Sequence, residues 1–146
     1  MNYILQLLSG KNVVVTPHAG EFKKMFGEAP PESKKARITM VAKFAKKYSI
    51  TILLKGPTDI ISDGGKTYLN PTNTPGMTVG GTGDILSGII AGMLARNRDA
   101  LESAVISAYF NGLAGKMAQK KLGHHITATD LLDVLPSVMK SFDKIK

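Results

Sequence analysis

The sequence has no cysteine and no tryptophan. Without a thiol there is neither a disulfide framework nor a thiolate metal site. Aromatic residues are only 6% of the chain, yet the apolar share of 43% is ordinary, which excludes a disordered composition. No apolar run approaches the roughly 20 residues of a membrane span. The stretch from Met1 to Leu8 lacks the basic region and cleavage site of a signal peptide, so no membrane partner is expected and a cytoplasmic location is the default. Acidic residues are scarce: 11 Asp and Glu face 19 Lys and Arg, for a net charge of +8. The lysines are dispersed (Lys34-Lys35, Lys46-Lys47, Lys120-Lys121, Lys140, Lys144, Lys146). They form no basic stripe interleaved with aromatics, so no nucleic-acid partner is expected. Such a charge does draw in anionic small molecules such as nucleotides. At 146 residues, the chain suits one domain over 1–146.

What the sequence does have is a glycine loop. Gly80-Gly81-Thr82-Gly83-Asp84 runs directly into an apolar helical stretch from Ile85 to Leu94. Glycines let backbone N–H groups turn inward, and a helix start adds partial positive charge, so the two together suit phosphate. A carboxylate beside phosphate is repelled by it. Asp84 there points to a task, taking the proton from a hydroxyl that attacks the phosphate. The pentapeptide fits equally well a plain helix start whose Asp complements the dipole.

Residues 12–16 read as a short buried strand cut off by Pro17. Glu21 to Phe26 reads as a helix closed by Gly27, and Pro30-Pro31 opens a longer helix to about Tyr48. In that helix Val41, Phe44, Ala45 and Tyr48 recur at one-face spacing. Residues 50–54 form a second buried strand, and the strand–helix–strand order implies a parallel crossover. Asp63-Gly64-Gly65 marks a hairpin between 58–62 and 66–69. Gly88 and Gly92 share one face of the helix after the glycine loop, which permits close packing against a neighbour. A long helix from about Ala100 to Lys121 ends at Gly123. The last helix begins at a Thr127/Asp130 capping box, and Pro136 is expected to kink or divide it. Ligands of α/β sheets bind beyond the carboxyl ends of strands. Thr16-Pro17-His18 and Lys55-Gly56 follow the two buried strands, and the glycine loop follows the hairpin.

These motifs carry a resemblance. Thr16 to Phe22 resembles the TPHxGE motif of the ATP- or ADP-dependent NAD(P)H-hydrate dehydratases, within the ribokinase-like superfamily. Leu54 to Ile61 is similar to that family's LKG element with its hairpin, and Gly76 to Gly88 resembles its GMAxGGTGDxLSG signature. Asn111-Gly112-Leu113-Ala114-Gly115 sits where the family often has HGLAG. The resemblance covers nearly the whole chain. It implies the carboxy-terminal portion of a three-layer α/β/α fold with a mostly parallel sheet and a β-hairpin. It implies an enzyme that repairs hydrated NADH or NADPH by phosphorylating the new hydroxyl from ATP or ADP and eliminating phosphate.

By the same resemblance, Asp84 is the base and touches substrate, and the amides of Gly81, Thr82 and Gly83 hold the transferred phosphate. Lys55, Gly56, Pro57, Thr58, Asp59, Gly80 and Gly83 contact the nucleotide. His18, Glu21, Phe22 and Lys24 line the hydrated dinucleotide. Read without it, His18 is a loop residue fixing the Pro17 turn, Lys55 a solvated strand-end lysine, and Glu21 an acid facing a helix dipole. No carboxylate constellation dictates a protein-bound metal, so Mg²⁺ is expected with the nucleotide, and His124-His125 reads as a helix-end loop. The family's full domain is nearly twice as long; its first βα units, amino-terminal glycine-rich loop and DAD-containing strand have no counterpart here. The chain is therefore expected to be a fragment or split product that associates with itself or with the missing amino-terminal half. Asn111 replaces the frequent His, Lys116 replaces a frequent Asp, and Asn73-Thr74-Pro75 matches loosely. Two other readings stay open: a sugar or hydroxyethylthiazole kinase using the same Asp84, and a catalytically silent nucleotide-binding subunit.

Overall fold

The computed structural model describes residues 3–143. Its elements are α1 (Tyr3–Leu8), β1 (Val14–Val15), α2 (Ala19–Phe26), α3 (Lys34–Tyr48), β2 (Thr51–Leu54), β3 (Asp59–Ser62), β4 (Thr67–Asn70), α4 (Thr82–Leu94), α5 (Ala100–Leu122) and α6 (Ala128–Lys140). A single 3₁₀ turn, Pro75–Met77, interrupts the loop before α4.

The strands form one sheet in the order β1-β2-β3-β4. β1 and β2 are parallel, as the crossover through α2 and α3 requires. The Asp63-Gly64-Gly65 hairpin makes β3 antiparallel to β4, and β3 is also antiparallel to β2. Over the described strands the sheet is therefore mixed rather than mostly parallel. Of its three pairings, only β1 with β2 spans a helical crossover.

Strand alternation divides the interior into layers. Ile52, Leu54 and Ile60 face α1, α2 and α3, where they meet Leu5, Phe22, Phe26, Val41 and Phe44. Leu53 and Ile61 face the other way, onto Leu86 and Ile90 of α4 and Leu101, Ala104 and Ala108 of α5. A third cluster seals α4, α5 and α6 through Ile85, Phe110, Ala114, Leu131 and Val138. The result is the expected α/β/α arrangement.

Some local expectations change. The long helix opens at Ser33 rather than at Pro30-Pro31, because the Ser33 hydroxyl accepts the Ala36 amide and caps it. Pro136 does not divide α6, which runs on to Lys140. The carbonyl four residues before Pro136, the one that loses its helical donor, belongs to exposed Leu132. Gly88 and Gly92 lie on an open face, and a side chain at either would meet nothing within 4 Å among the described residues. Among the described residues no helix is long and apolar enough to cross a membrane. Lys144 and Lys146 lie outside the described residues.

Candidate active site

His18 caps α2. Its Nδ1 accepts the amides of Gly20 (3.0 Å) and Glu21 (3.2 Å), while Glu21 Oε2 accepts the His18 amide at 2.7 Å. This is a capping box with histidine in the serine role. With Nδ1 occupied, the neutral ring carries its proton on Nε2, 3.4 Å from Glu21 Oε1. His18 thus fixes the turn after Pro17, and only its Nε2–H is left to offer a ligand.

Lys55 joins this turn to the glycine loop. Its amide donates to the Pro17 carbonyl at 2.9 Å. Its ammonium lies 3.4 Å from Glu21 Oε2, and 3.1 Å from where a Gly83 β-carbon would stand. The lysine is three-quarters covered, with a side-chain exposure of 25%. The His18 amide, the nearby Lys55 ammonium and the His18 ring hold the Glu21 carboxyl below its ordinary value, against a smaller opposing effect of burial. A depressed folded-state value stabilises the fold above the unfolded value, and that contribution disappears as pH falls through the folded one. Wild-type protein is therefore expected to melt above Glu21→Gln at neutral pH. The gap closes only below the ordinary glutamate value of about 4.3. A pH series of thermal melts with a constant gap would contradict this.

The glycine loop meets the same point. Gly81 stands before α4 at φ +94°, and a β-carbon there would lie 2.8 Å from Ala128 Cβ. Both the backbone angle and the space restrict the position to glycine. The amides of Asp84 and Ile85 both turn back to the Gly81 carbonyl at 3.1 Å. Helix geometry leaves the N–H groups of Thr82 and Gly83 without an internal acceptor, and Gly81 has no side chain to cap them. Gly83 lies beside the Lys55 ammonium, and Asp84 stands exposed next in line. The Thr82 hydroxyl is turned away to the carbonyls of Met77 (3.0 Å) and Val79 (3.1 Å), which pins the loop. The Ser87 hydroxyl bonds the Gly83 carbonyl at 3.0 Å and meets Thr16 Oγ1 at 3.3 Å, tying the end of β1 to the first turn of α4.

Two residues expected at the ligand are buried among structural partners. Phe22 is fully buried against Phe26 and Phe44, so its side chain holds α2 to α3. Asp59 is also buried. Its Oδ1 takes the Gly56 amide (3.1 Å) and Asn73 Nδ2 (2.8 Å), and its Oδ2 takes Asn70 Nδ2 (2.9 Å). Burial pushes this carboxyl up, and those three donors pull the other way. Asp59 is the anchor of the Gly56–Thr58 loop, with both carboxylate oxygens engaged inside the protein. Pro57 and Gly80 are exposed, Gly56 and Thr58 are half-buried, and Lys24 is exposed on α2.

The residues that the motif reading passes over are those that support the loops. Asn73, in the loosely matching segment, also holds the Gly56 carbonyl at 2.8 Å. Asn70 bridges Asp59 to the Ala108 carbonyl of α5. Thr72 packs directly on Gly112, and Met77 on Gly115. The Asn111-to-Gly115 motif is thus a seat for the loop that leads into the glycine turn. The signal was there to read: a buried strand-end Asp needs donors, and two asparagines lie within reach in sequence.

A cleft of about 420 Å³, lined by Lys11, Lys46, Gly64 and Asp99 among others, lies at the opposite ends of β1 and β2 and contains none of these residues. Among the described residues no three His, Asp or Glu side chains group as a metal site.

The sequence profile of the NAD(P)H-hydrate dehydratase family matches residues 5–137. The chain belongs to this family. It is 62% identical over 143 residues to the ADP-dependent (S)-NAD(P)H-hydrate dehydratase of Cenarchaeum symbiosum, covering 98% of this chain and 50% of that protein. The ADP/ATP-dependent NAD(P)H-hydrate dehydratase of Bacillus subtilis, co-crystallised with ATP and Mg²⁺, superposes with a TM-score of 0.81 at 32% identity. That match covers 93% of this chain and 54% of the Bacillus chain. A ribokinase-like superfamily protein of Enterococcus faecalis superposes at 0.76 with 31% identity, over 94% of this chain and 46% of its own. The fold is therefore ribokinase-like, and the chain spans about half the length of the curated dehydratases it matches.

Proposed function

We propose that this chain carries the phosphoryl-transfer centre of a nucleotide-dependent NAD(P)H-hydrate dehydratase. The observation that carries the reading is the meeting of Lys55 with the uncapped start of α4, next to exposed Asp84. The amides of Gly81, Thr82 and Gly83 and the Lys55 ammonium would hold the terminal phosphate of ATP or ADP. Asp84 takes the proton of the hydrate's hydroxyl as its oxygen attacks that phosphorus, and the bond to the leaving nucleotide breaks. The phosphate ester then departs, taking the former hydroxyl oxygen. Loss of a ring proton restores the double bond of NADH or NADPH.

Glu21, the carboxylate paired with Lys55, is held by that ammonium and the His18 amide, so it is not free to help build a Mg²⁺ site. Mg²⁺ would arrive with the nucleotide and neutralise its phosphates. The His18 Nε2–H and the exposed face of α2 at Lys24 are left for the dinucleotide.

β1 has β2 on one side and no strand on the other among the described residues. The site lies beside that open edge. We place the rest of the dinucleotide pocket there, supplied by further α/β structure pairing with β1.

The test is an assay on hydrated NADH with Mg²⁺ and either ATP or ADP. Dihydronicotinamide absorbance is expected to return only when nucleotide is present. Absence of recovery in protein that binds nucleotide would contradict the reading for this chain alone and favour the silent subunit. Lys55→Met is expected to weaken nucleotide binding by about 1.5–3 kcal/mol, the worth of a hydrogen bond to a charged group. An unchanged affinity by calorimetry would return Lys55 to the role of a solvated lysine.

A further inference from the structure

A lysine on a flexible four-carbon stem can sweep its head across a wide opening. Lys55 is held at both ends by the turn from Pro17 to Glu21. Its amide donates to the Pro17 carbonyl at 2.9 Å, and its ammonium lies 3.4 Å from Glu21 Oε2. The other carboxylate near Lys55, that of Asp59, is buried and occupied by three donors of its own. Glu21 therefore decides where the ammonium stands.

Glu21 is itself fixed. Its Oε2 takes the His18 amide at 2.7 Å, and His18 Nδ1 accepts the Glu21 amide at 3.2 Å. Two glycines leave the room for this arrangement. A β-carbon at Gly20 would lie 3.0 Å from Cε1 of the His18 ring, and one at Gly83 would lie 3.1 Å from the Lys55 ammonium. One carboxylate oxygen thus closes the cap of α2 and keeps the lysine head beside Gly83. An ammonium has three donors, so pairing with Glu21 leaves others for a phosphate. Phosphoryl transfer depends heavily on placement. The lysine–glutamate pair of protein kinases is a chemical parallel on another fold.

We propose that Glu21 is a positioning residue, which acts through Lys55 on the phosphate being transferred rather than by touching the hydrated dinucleotide. The inference rests on the reading of the cradle as a phosphoryl-transfer site. In nucleotide binding the two effects of Glu21 oppose each other, since it places the ammonium and also repels phosphate. Its benefit is felt in turnover.

Glu21→Gln separates the duties. Glutamine still accepts the His18 amide, as in an ordinary capping box, but offers Lys55 no charge. Turnover of hydrated NADH with Mg²⁺ and ADP is expected to fall by about 10- to 10²-fold. Calorimetric ADP affinity is expected to change by less than about fivefold, and KM for hydrated NADH to hold. In a Lys55→Met background the same substitution is expected to cost nothing further. A helix cap or a dinucleotide contact keeps its effect without the lysine. An equal loss in both backgrounds, or a raised KM for hydrated NADH, would therefore overturn the proposal. Labelling with acetic anhydride, followed by peptide mass mapping, reads the pairing without turnover. Lys55 is expected to be acetylated several-fold faster in Glu21→Gln than in wild type, and unchanged labelling would overturn the proposal even in an active enzyme. Faster labelling in a protein that does not turn over hydrated NADH would uphold the placement of Lys55 by Glu21 and locate the failure in the reading of the reaction.

Discussion

Asp84→Asn is expected to slow turnover by about 10²- to 10⁴-fold while nucleotide affinity stays the same or tightens slightly. The asymmetry follows from where Asp84 stands. It is the third residue of α4, exposed, and its own amide is already satisfied by Gly81. Asparagine keeps the size and the helix start, so the backbone cradle at Thr82 and Gly83 survives. What is lost is a negative charge able to accept a proton. The same change removes repulsion of the nucleotide's phosphates, which is why binding does not suffer. Steady-state kinetics with calorimetric nucleotide binding separates the two. Full activity in the variant would remove Asp84 from the role of base.

Gly112→Val is expected to damage the site from the far side of the loop. A β-carbon at Gly112 overlaps the Thr72 side chain, and the backbone of Thr72 is as close as 3.0 Å. The loop has to lift off α5. Thr72 bonds Asn70 at 2.6 Å, and Asn70 holds Asp59, the anchor of the Lys55–Thr58 turn. Met77, seated on Gly115, gives its carbonyl to the Thr82 hydroxyl. The lesion thus reaches both sides of the phosphate cradle. Overpacking of this kind costs about 1–3 kcal/mol, so the melting temperature drops by several degrees and activity falls further than stability alone accounts for. Thr72→Gly in the same chain should recover part of the stability, since it removes the overlapping atoms. A Gly112→Val protein with wild-type melting and activity would show that the loop does not need this seat.

Much of this architecture was legible in the residues. The alternation of Ile52, Leu53 and Leu54, the Asp63-Gly64-Gly65 turn and the Thr127/Asp130 capping box each act over a few residues, and local rules capture them. The three motifs were legible because they follow strands or open a helix, where α/β sheets commonly bind ligands. Phe22 and Asp59 have partners that the motifs do not show. They stand inside the motifs, yet their surroundings are made by residues far away in sequence, Phe44 for one and Asn70 and Asn73 for the other. A motif does not distinguish a residue that touches the ligand from one that holds the loop. His18 fixes the turn after Pro17 as its place in the loop suggests, but does so as the cap of α2, a role histidine seldom takes.

The central claim is that Asp84 and the cradle beside Lys55 transfer phosphate to the hydroxyl of hydrated NADH. The most direct test follows ADP and hydrated NADH together and counts products. One AMP and one inorganic phosphate are expected for each NADH regained, with all three falling together in Asp84→Asn. NADH regained without nucleotide cleavage, or a stable phosphorylated product with no NADH, would contradict the claim.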